Sequence, residues 1–357
     1  MGWTDGEGKG SPPRTPDEAS FWTGPRRIRI IAQSEPSTGN TMAIHSLRWD
    51  EEPPAACRGG VLSIGNFDGV HLGHLALLAE LRKKAQVLGR PAVAITFDPH
   101  PLQLLRPEQF QPVLTTVADR AELLQAHGAD EVVILRTTRE MLRLTAAEFF
   151  AQVIRGRLDG CCLVEGTNFG FGRNREGNTQ TLIDLSRAAG MEPPVIVPSL
   201  LLDGVPVSSS RVRSALVQGK VAEAAVLLSR PYRIHGTVGT GQRRGQALGF
   251  PTANLQQVPT LVPGDGVYAV RVSHAGSTWP GAANIGPNPT FGEQARKVEV
   301  HLISFHGDLY GQRLAVDFLE RLRDTRPFAG PEQLVAQLRS DVEQARRVAG
   351  QPPGKPR

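Results

Sequence analysis

Cysteine is scarce in this chain, since its 357 residues include only Cys57, Cys161 and Cys162. Three thiols at this spacing are too few for a disulfide framework and do not predict a tetrahedral zinc site. Cys161 and Cys162 lie in a short apolar run, which indicates buried thiols. The count therefore excludes a fold that depends on disulfides.

Long hydrophobic runs are also lacking. The richest apolar stretch, residues 195–202, contains Pro198, whereas a membrane-spanning helix needs about 18 consecutive apolar residues. The first residues contain no apolar signal-peptide core. With 40% hydrophobic and 21% charged residues, the composition is typical of a globular protein. We expect a cytoplasmic protein without a membrane partner, and the length suggests two domains.

Lysine and aromatic residues are few as well. Only six of the 40 basic residues are lysines, the arginines are scattered, and aromatic residues make up 6% of the chain. Surfaces that bind nucleic acids usually combine a basic stripe with interleaved aromatic side chains, so we expect no nucleic-acid partner. The net charge of +5 suits small anionic ligands such as nucleotides. The sequence leaves a homo-oligomer open.

The order of apolar patterns divides the chain. Residues 1–41 are rich in Gly, Pro, Ser and Thr and are predicted to form a disordered leader. In residues 42–229, apolar runs of strand length alternate with helical patterns, which predicts a parallel sheet covered by helices on both faces. The predicted strands are 61–66, 92–97, 131–135, 161–164 and 195–198, and the predicted helices are 73–88, 117–127, 146–158, 179–190, 211–219 and 221–229.

After Arg230 and Pro231 the pattern changes to alternation with a period of two. Four such segments, 232–238, 266–272, 297–304 and 313–319, are separated by turns rich in Gly and Pro. This pattern predicts an antiparallel sheet or barrel over residues 230–350, with a helix over 331–348 and a tail at 351–357.

A glycine- and histidine-rich segment, Gly65–His74, joins the first predicted strand to the first predicted helix. Free backbone N–H groups and the helix dipole attract phosphate at such a junction. Glycines at 65, 69 and 73 let the backbone approach a ligand closely. His71 and His74 lie three residues apart, so both imidazoles can face the same phosphate. A turn with two surface histidines is the simpler alternative for a lone pair, but the complete segment favours a phosphate site.

A second cluster, Ser208, Ser209 and Ser210, begins a predicted helix that also contains Arg213. One serine is sufficient to cap the helix, and capping is compatible with phosphate binding. Both interpretations are kept.

The C-terminal half contains the loop 236–245, in which glycines flank Arg243 and Arg244. Such a loop suits phosphates, although it is not a P-loop. Thr252 and Asn254 are two residues apart in an extended segment, so both project to one side and offer oxygen ligands to Mg²⁺. Taken alone, Glu299 in the alternating segment 298–302 is more simply an exposed strand glutamate.

These motifs together resemble the bifunctional bacterial riboflavin kinase/FAD synthetase family. The resemblance is carried, in order, by segments 65–74, 96–101, 166–172 and 207–213 in the first half, and by 249–254, 284–286, 289–291, 299–302 and 308–311 in the second. Thr167 stands where the family often has an acidic residue, and Gln246 where it often has a basic one. The resemblance implies an α/β nucleotidyltransferase domain followed by a six-stranded antiparallel barrel with a C-terminal helix.

The resemblance also implies substrates and residue roles. The second half transfers the γ-phosphate of ATP to riboflavin, and the first half adenylylates the resulting FMN to FAD with release of pyrophosphate. The implied catalytic residues are His71, His74, Arg213 and Glu299, with Glu299 as general base. The implied nucleotide- and phosphate-binding residues are Gly65, Asn66, Phe67, Asp68, Gly73, Asn168, Ser208, Ser209, Gly245 and Gly249, and Thr252 and Asn254 would hold Mg²⁺.

Two other functions are weighed against this one. A nucleotidyltransferase for another phosphorylated acceptor would not need the kinase motifs of the second half. A flavin-binding regulatory protein with a degenerate active site would not need a general base, and Glu299 is present together with both histidines.

Overall fold

The structure is a computed structural model that describes Gly2 and residues 43–240, 249–288 and 293–350. The chain divides into two compact units, Met1–Thr41 and Met42–Arg357, and the second contains both halves described here by their strands and helices. The predicted leader, apart from Gly2, and the predicted tail lie outside the described residues.

The first half of this unit contains a six-stranded sheet in which every strand pair is parallel. Its order is β1-β4-β3-β2-β5-β6, and its strands are β1 (Ala43–Arg48), β2 (Val61–Ile64), β3 (Ala92–Asp98), β4 (Glu131–Arg136), β5 (Cys162–Gly166) and β6 (Val195–Val197). The predicted fold class is confirmed. The sequence pattern missed β1, because this edge strand alternates between exposed and half-buried residues and contains no apolar run.

Helices follow the strands and cover both faces of the sheet, as predicted. Alternate residues of β2 and β3 enter two different cores, with Leu62 and Ile95 in one and Val61 and Ala94 in the other. The helices are α1 (Leu72–Leu88), α2 (Pro101–Leu105), α3 (Val117–Ala126), α4 (Ala146–Phe149, continued by a π-helix Phe150–Arg157), α5 (Thr179–Ala188), α6 (Ser209–Val217) and α7 (Val221–Leu228). A short hairpin of β7 (Leu201–Leu202) and β8 (Val205–Pro206) precedes α6.

The second half is a closed antiparallel barrel in the order β10-β13-β12-β11-β14-β9. Its strands are β9 (Tyr232–Gly239), β10 (Ala253–Gln256), β11 (Gly266–His274), β12 (Ser277–Asn288), β13 (Glu293–Leu302) and β14 (Arg313–Arg323), and α8 (Pro331–Gly350) ends the described chain. The predicted barrel and helix are confirmed. Arg323 on β14 binds the carboxylate of Asp341 of α8 from both Nε, at 3.0 Å, and Nη2, at 2.8 Å.

A third hydrophobic core contains residues from both halves. Side chains of α6 and α7 and the side chain of Leu114 belong to the same buried cluster as the barrel interior. Leu261 of the barrel half donates a backbone hydrogen bond of 2.9 Å to the carbonyl of Val113. The domain boundary predicted at residues 229–230 stays a prediction, and it lies within this common core.

Among the described residues, no helix combines the length and apolar character needed to cross a membrane.

Truncation of Leu114 tests how much this common core contributes to the stability of the protein. Its side chain is 1% exposed, so Leu114→Ala should lower the free energy of unfolding by about 2–5 kcal/mol through lost burial and a residual cavity. Denaturant unfolding at constant pH measures this. Leu105→Ala is the control, because Leu105 is 52% exposed and its truncation should cost less than about 0.5 kcal/mol.

Candidate functional site

The loop between β2 and α1 is a tight turn that is held from inside the protein. Phe67, Gly69 and Val70 have φ values of 46°, 83° and 40°, a region that costs energy for side chains other than glycine. The side chains of Phe67 and Val70 are only 1% and 0% exposed. Their burial in the core offsets the backbone cost, and the turn delivers His71 to the start of α1.

His71 and His74 are brought together by this turn. His71 is the N-cap of α1, and its Nδ1 accepts a hydrogen bond of 3.4 Å from the backbone N–H of His74. The two imidazole rings are stacked with centroids 3.7 Å apart. Because Nδ1 of His71 accepts, its Nε2 is the nitrogen that carries the proton. Nδ1 of His74 is buried and has no hydrogen-bond partner within the described residues.

Both imidazoles are neutral at physiological pH. Burial, with a smaller contribution from the nearby Arg230, lowers the pKa of His71 to about 4. Burial also holds the pKa of His74 well below its ordinary value, with a further contribution from His71. These side chains can therefore donate hydrogen bonds to phosphate, but they do not bring positive charge to it.

Asp68 lies at the centre of the loop, and its side chain is buried. Its carboxylate accepts hydrogen bonds from the backbone N–H groups of Leu114 at 2.9 Å and Thr115 at 3.2 Å. It also accepts one from Arg213, whose Nε donates to the carbonyl of Pro112 at 3.2 Å. The carboxylate thus faces protein donors and joins three segments of the chain. The predicted contact of Asp68 with nucleotide stays a prediction.

The start of α6 closes on the same loop. Ser208 caps α6 by accepting from the N–H of Arg211 at 3.2 Å, and Ser209 donates from Oγ to the carbonyl of Asp68 at 2.9 Å. A Cβ on Gly73 would lie 3.2 Å from the imidazole of His71 and 3.4 Å from the carbonyl of Val207, so glycine leaves room for the His71 ring beside this segment. Five predicted residues, Asp68, Gly73, Ser208, Ser209 and Arg213, therefore lie together.

Gly65 and Asn66 connect this loop to the sheet. The N–H of Gly65 donates to the carbonyl of Ile95 at 3.0 Å, and the carbonyl of Asn66 accepts from Thr96 Oγ at 3.1 Å. Asn168 is exposed on the turn after β5, and its carbonyl accepts from Arg175 at 3.0 Å.

A cavity of about 320 Å³ lies beside the loop, and the sequence analysis assigned none of its lining residues to a site. His100 and Arg120 line it together with flat or apolar groups that include Phe110, Pro112, Val113 and Pro259. Arg120 is 3% exposed, and its Nη1 donates to Thr96 Oγ at 3.1 Å. Burial lowers the pKa of His100 to about 4. The motif at 96–101 already pointed to His100, but Arg120 lies in an ordinary helical pattern.

A second polar cluster lies on the outer face of the barrel. Asn254 on β10 pairs directly with Glu299 on β13, and Glu299 pairs with Asn284 on β12. Directly paired residues project to the same side of a sheet. Val298 and Val300 belong to the core inside the barrel, so Glu299 between them projects outward. The three side chains are half-buried and form a row across three strands.

The remaining predicted kinase residues flank this row. Thr252 is exposed and precedes Asn254 by two residues, and Gly249 is exposed with a φ of 83°. His301, which the sequence analysis did not select, donates a hydrogen bond of 2.8 Å from Nδ1 to the carbonyl of Pro251 and so fixes this segment to β13. Gly245 lies outside the described residues, as does Gln246.

Arg230 connects the barrel half to the histidine loop. Its Nη2 donates to the carbonyl of Gly69 at 2.6 Å, and its Nη1 donates to the carbonyls of Val70 and Leu228, both at 3.0 Å. Burial lowers the pKa of Arg230 to about 10, so the guanidinium stays charged at neutral pH. The bonds to Gly69 and Val70 hold the residues immediately before His71.

The fold and these two clusters define a chain with a nucleotidyltransferase-type α/β half and a separate barrel half. Two family models match it: one described as FAD synthetase covers residues 54–211, and one described as riboflavin kinase covers residues 228–349. The chain belongs to the bifunctional riboflavin kinase/FMN adenylyltransferase family, as the sequence resemblance predicted.

Similar proteins span both halves. The bifunctional riboflavin kinase/FMN adenylyltransferase of Pseudomonas fluorescens is 40% identical over 86% of this chain and 96% of its own length. Its counterpart in Escherichia coli (strain K12) is 36% identical over 86% and 96%, and that of Bacillus subtilis (strain 168) is 33% identical over 80% and 92%. A crystal structure named as a macrolide-efflux protein from Streptococcus pneumoniae matches 85% of this chain and 98% of its own, with a TM-score of 0.76 and 31% identity. Its name differs from those of the curated relatives, but it has the fold of both halves.

Arg230→Ala should lower FMN adenylylation at least about tenfold, because the resemblance implies a catalytic role for His71 and a loop displaced by about 1 Å would misplace it. Riboflavin phosphorylation should change less than twofold, and Arg230→Lys should restore part of the loss. Steady-state rates of both reactions test this. Arg339→Ala, on the exposed side of α8, should alter neither rate. Equal losses of both activities in Arg230→Ala would contradict the local role.

The low pKa of His71 also predicts how the stability of the protein depends on pH. Because the pKa of His71 is about 4 in the folded protein and its ordinary value is about 6.5, the unfolded chain binds more protons between these values. Stability should therefore fall as pH decreases from about 6.5 to 4. His71→Asn retains a good N-cap and removes the titration of this imidazole. Between pH 7 and pH 5, the free energy of unfolding of the variant should therefore fall by about 1–2 kcal/mol less than that of the wild type.

Denaturant unfolding at the two pH values measures this difference. His306→Asn is the control, since it makes the same change at an exposed position. An equal slope in His71→Asn and wild type would show that this imidazole does not resist protonation.

Proposed function

We propose that the His71–His74 loop carries out adenylyl transfer and that the outward row at Glu299 carries out phosphoryl transfer. As a member of its family, the chain is a riboflavin kinase and FMN adenylyltransferase, which forms FMN from riboflavin and FAD from FMN with ATP. None of these comparisons supports a flavin-binding regulatory protein. The main support for the assignment of residues is the closure of α6 on the histidine loop through Arg213, Ser209 and Asp68.

Adenylyl transfer at the loop follows from its hydrogen-bond donors. The N-terminus of α1 and the neutral imidazoles of His71 and His74 offer hydrogen-bond donors close together. We place the α-phosphate of ATP there. The FMN phosphate oxygen attacks the α-phosphorus and pyrophosphate leaves, with no covalent enzyme intermediate. The N-terminus of α6 with Arg213 would bind the departing phosphates. Catalysis then depends on positioning and on stabilisation of charge.

The cavity beside the loop is our candidate for the isoalloxazine ring of FMN. Phe110, Pro112 and Pro259 offer apolar walls, and the buried Arg120 and His100 offer polar contacts to ring oxygens and nitrogens. The cavity also contains Thr115, whose N–H donates to Asp68. The ring would therefore lie next to the proposed phosphate site.

Phosphoryl transfer at the barrel depends on Glu299. As general base, its carboxylate would take the proton of the riboflavin 5′-hydroxyl as that oxygen attacks the γ-phosphorus of ATP and ADP leaves. The direct pairing of Glu299 with Asn254 supports this role, because it keeps the base beside the segment that would bind phosphate.

Thr252 and Asn254 would hold Mg²⁺ with the ATP phosphates. Thr252 offers a hydroxyl oxygen and Asn254 an amide oxygen, and oxygen donors are what this hard cation requires. When bound, Mg²⁺ would neutralise phosphate charge in both ground and transition states. A cytoplasmic location and the absence of nucleic-acid partners stay predictions.

Separate variants should remove one reaction each. Glu299→Gln removes the base, so FMN formation should fall at least about 100-fold, while FAD formation from supplied FMN stays within twofold. His74→Ala should do the reverse. Chromatography of FMN and FAD after incubation with riboflavin or FMN, ATP and Mg²⁺ measures both.

Glu320→Gln is the matched control, because it makes the same change at an exposed strand glutamate of the same barrel and should affect neither reaction. If Glu299→Gln or His74→Ala removed both activities while the protein stayed folded, the assignment of two separate sites would be wrong.

A further inference from the structure

Three metal-ligating side chains from distant parts of the sequence meet away from both proposed active sites. They are His45 on β1, Cys57 in a short 3₁₀ turn (Ala55–Cys57), and Glu131, the first residue of β4. One ligand atom from each lies within 4.8 Å of the other two. His45 Nε2 is 2.8 Å from Glu131 Oε2. Cys57 is 0% and Glu131 is 3% exposed.

We propose that His45, Cys57 and Glu131 bind a divalent transition-metal ion of borderline softness, of the class of Zn²⁺. Imidazole nitrogen, thiolate sulfur and carboxylate oxygen are the donors that Zn²⁺ accepts, whereas Mg²⁺ and Ca²⁺ prefer oxygen alone. A thiolate and a carboxylate together balance the two positive charges of the ion, which matters in a buried place. Binding releases the thiol proton to solvent.

The spacing requires only small side-chain movements. Ligand atoms around a tetrahedral zinc ion are separated by about 3.3–3.6 Å, given metal–ligand bonds of about 2.0–2.3 Å. The His45–Glu131 distance of 2.8 Å would open slightly, and the sulfur, which lies within 4.8 Å of both other ligand atoms, would move closer by about 1.5 Å at most. The His45 side chain is 18% exposed, so the ion and a fourth ligand, water, can reach the site from that side.

The position suggests a structural role. β1 is an edge strand that pairs only with β4 within the described sheet. An ion at this site would connect β1, the β1–β2 connection and β4. Glu131 begins β4, so the site lies towards the amino-terminal edge of the parallel sheet, whereas the histidine loop follows the carboxyl end of β2. The inference is therefore independent of the proposed function.

Cobalt spectroscopy on the full-length protein tests the site, because Co²⁺ replaces Zn²⁺ and reports its ligands. Chelator-treated protein, without ATP or Mg²⁺, should bind one equivalent of Co²⁺ with tetrahedral visible bands and a sulfur-to-cobalt charge-transfer band. Added Zn²⁺ should remove these bands and raise Tm by at least about 3 °C. The histidine loop contains no thiol, so the charge-transfer band distinguishes the two places.

Matched cysteine variants make the test specific. Cys57→Ser should abolish the charge-transfer band, while Cys161→Ser should retain it, and His45→Gln should weaken Co²⁺ affinity at least about tenfold. His45 is half-buried on an edge strand, so its variant keeps the test valid if Cys57→Ser does not fold. No cobalt uptake by the wild type, a charge-transfer band that persists in Cys57→Ser, or unchanged affinity in His45→Gln would overturn the proposal.

Discussion

The buried carboxylate of Asp68 is the interaction on which the nucleotidyltransferase half depends. It joins the histidine loop to the segment at Leu114 and Thr115 and to Arg213 on α6. A buried carboxylate is stable only when its oxygens are paired, and here backbone N–H groups and a guanidinium satisfy them. The same bonds set the distance between the starts of α1 and α6. A structural residue within the motif therefore determines the shape of the proposed phosphate site.

The barrel half contributes to that site although it carries a different reaction. Arg230 bonds to the loop, Leu114 packs in the barrel-side core, and His235 on β9 bonds to Asp119 of α3 at 3.0 Å. Interior packing transmits small displacements because it contains few voids. The geometry of the proposed adenylyl-transfer site thus rests partly on residues that follow the predicted boundary.

The proposed kinase site lies outside the barrel because the interior is filled. Val298 and Val300 pack into the core with residues from the other strands, and a six-stranded barrel leaves no space there for a ligand. Alternation along β13 then places Glu299 on the outer face, and strand pairing aligns it with Asn254 and Asn284. Register therefore decides which polar residues meet.

The sequence by itself determined the alternation of strands and helices in the first half, the change to a barrel pattern in the second half and the residues of the main motifs. Apolar periodicity and a glycine-rich junction are local properties, and they identified β2, α1, His71 and His74. Tertiary structure alone decided that Asp68 faces Arg213, that Arg230 supports the loop and that His45, Cys57 and Glu131 meet. These contacts join residues far apart in the chain, and no local pattern encodes them, because only the packing of the folded chain brings such side chains within bonding distance.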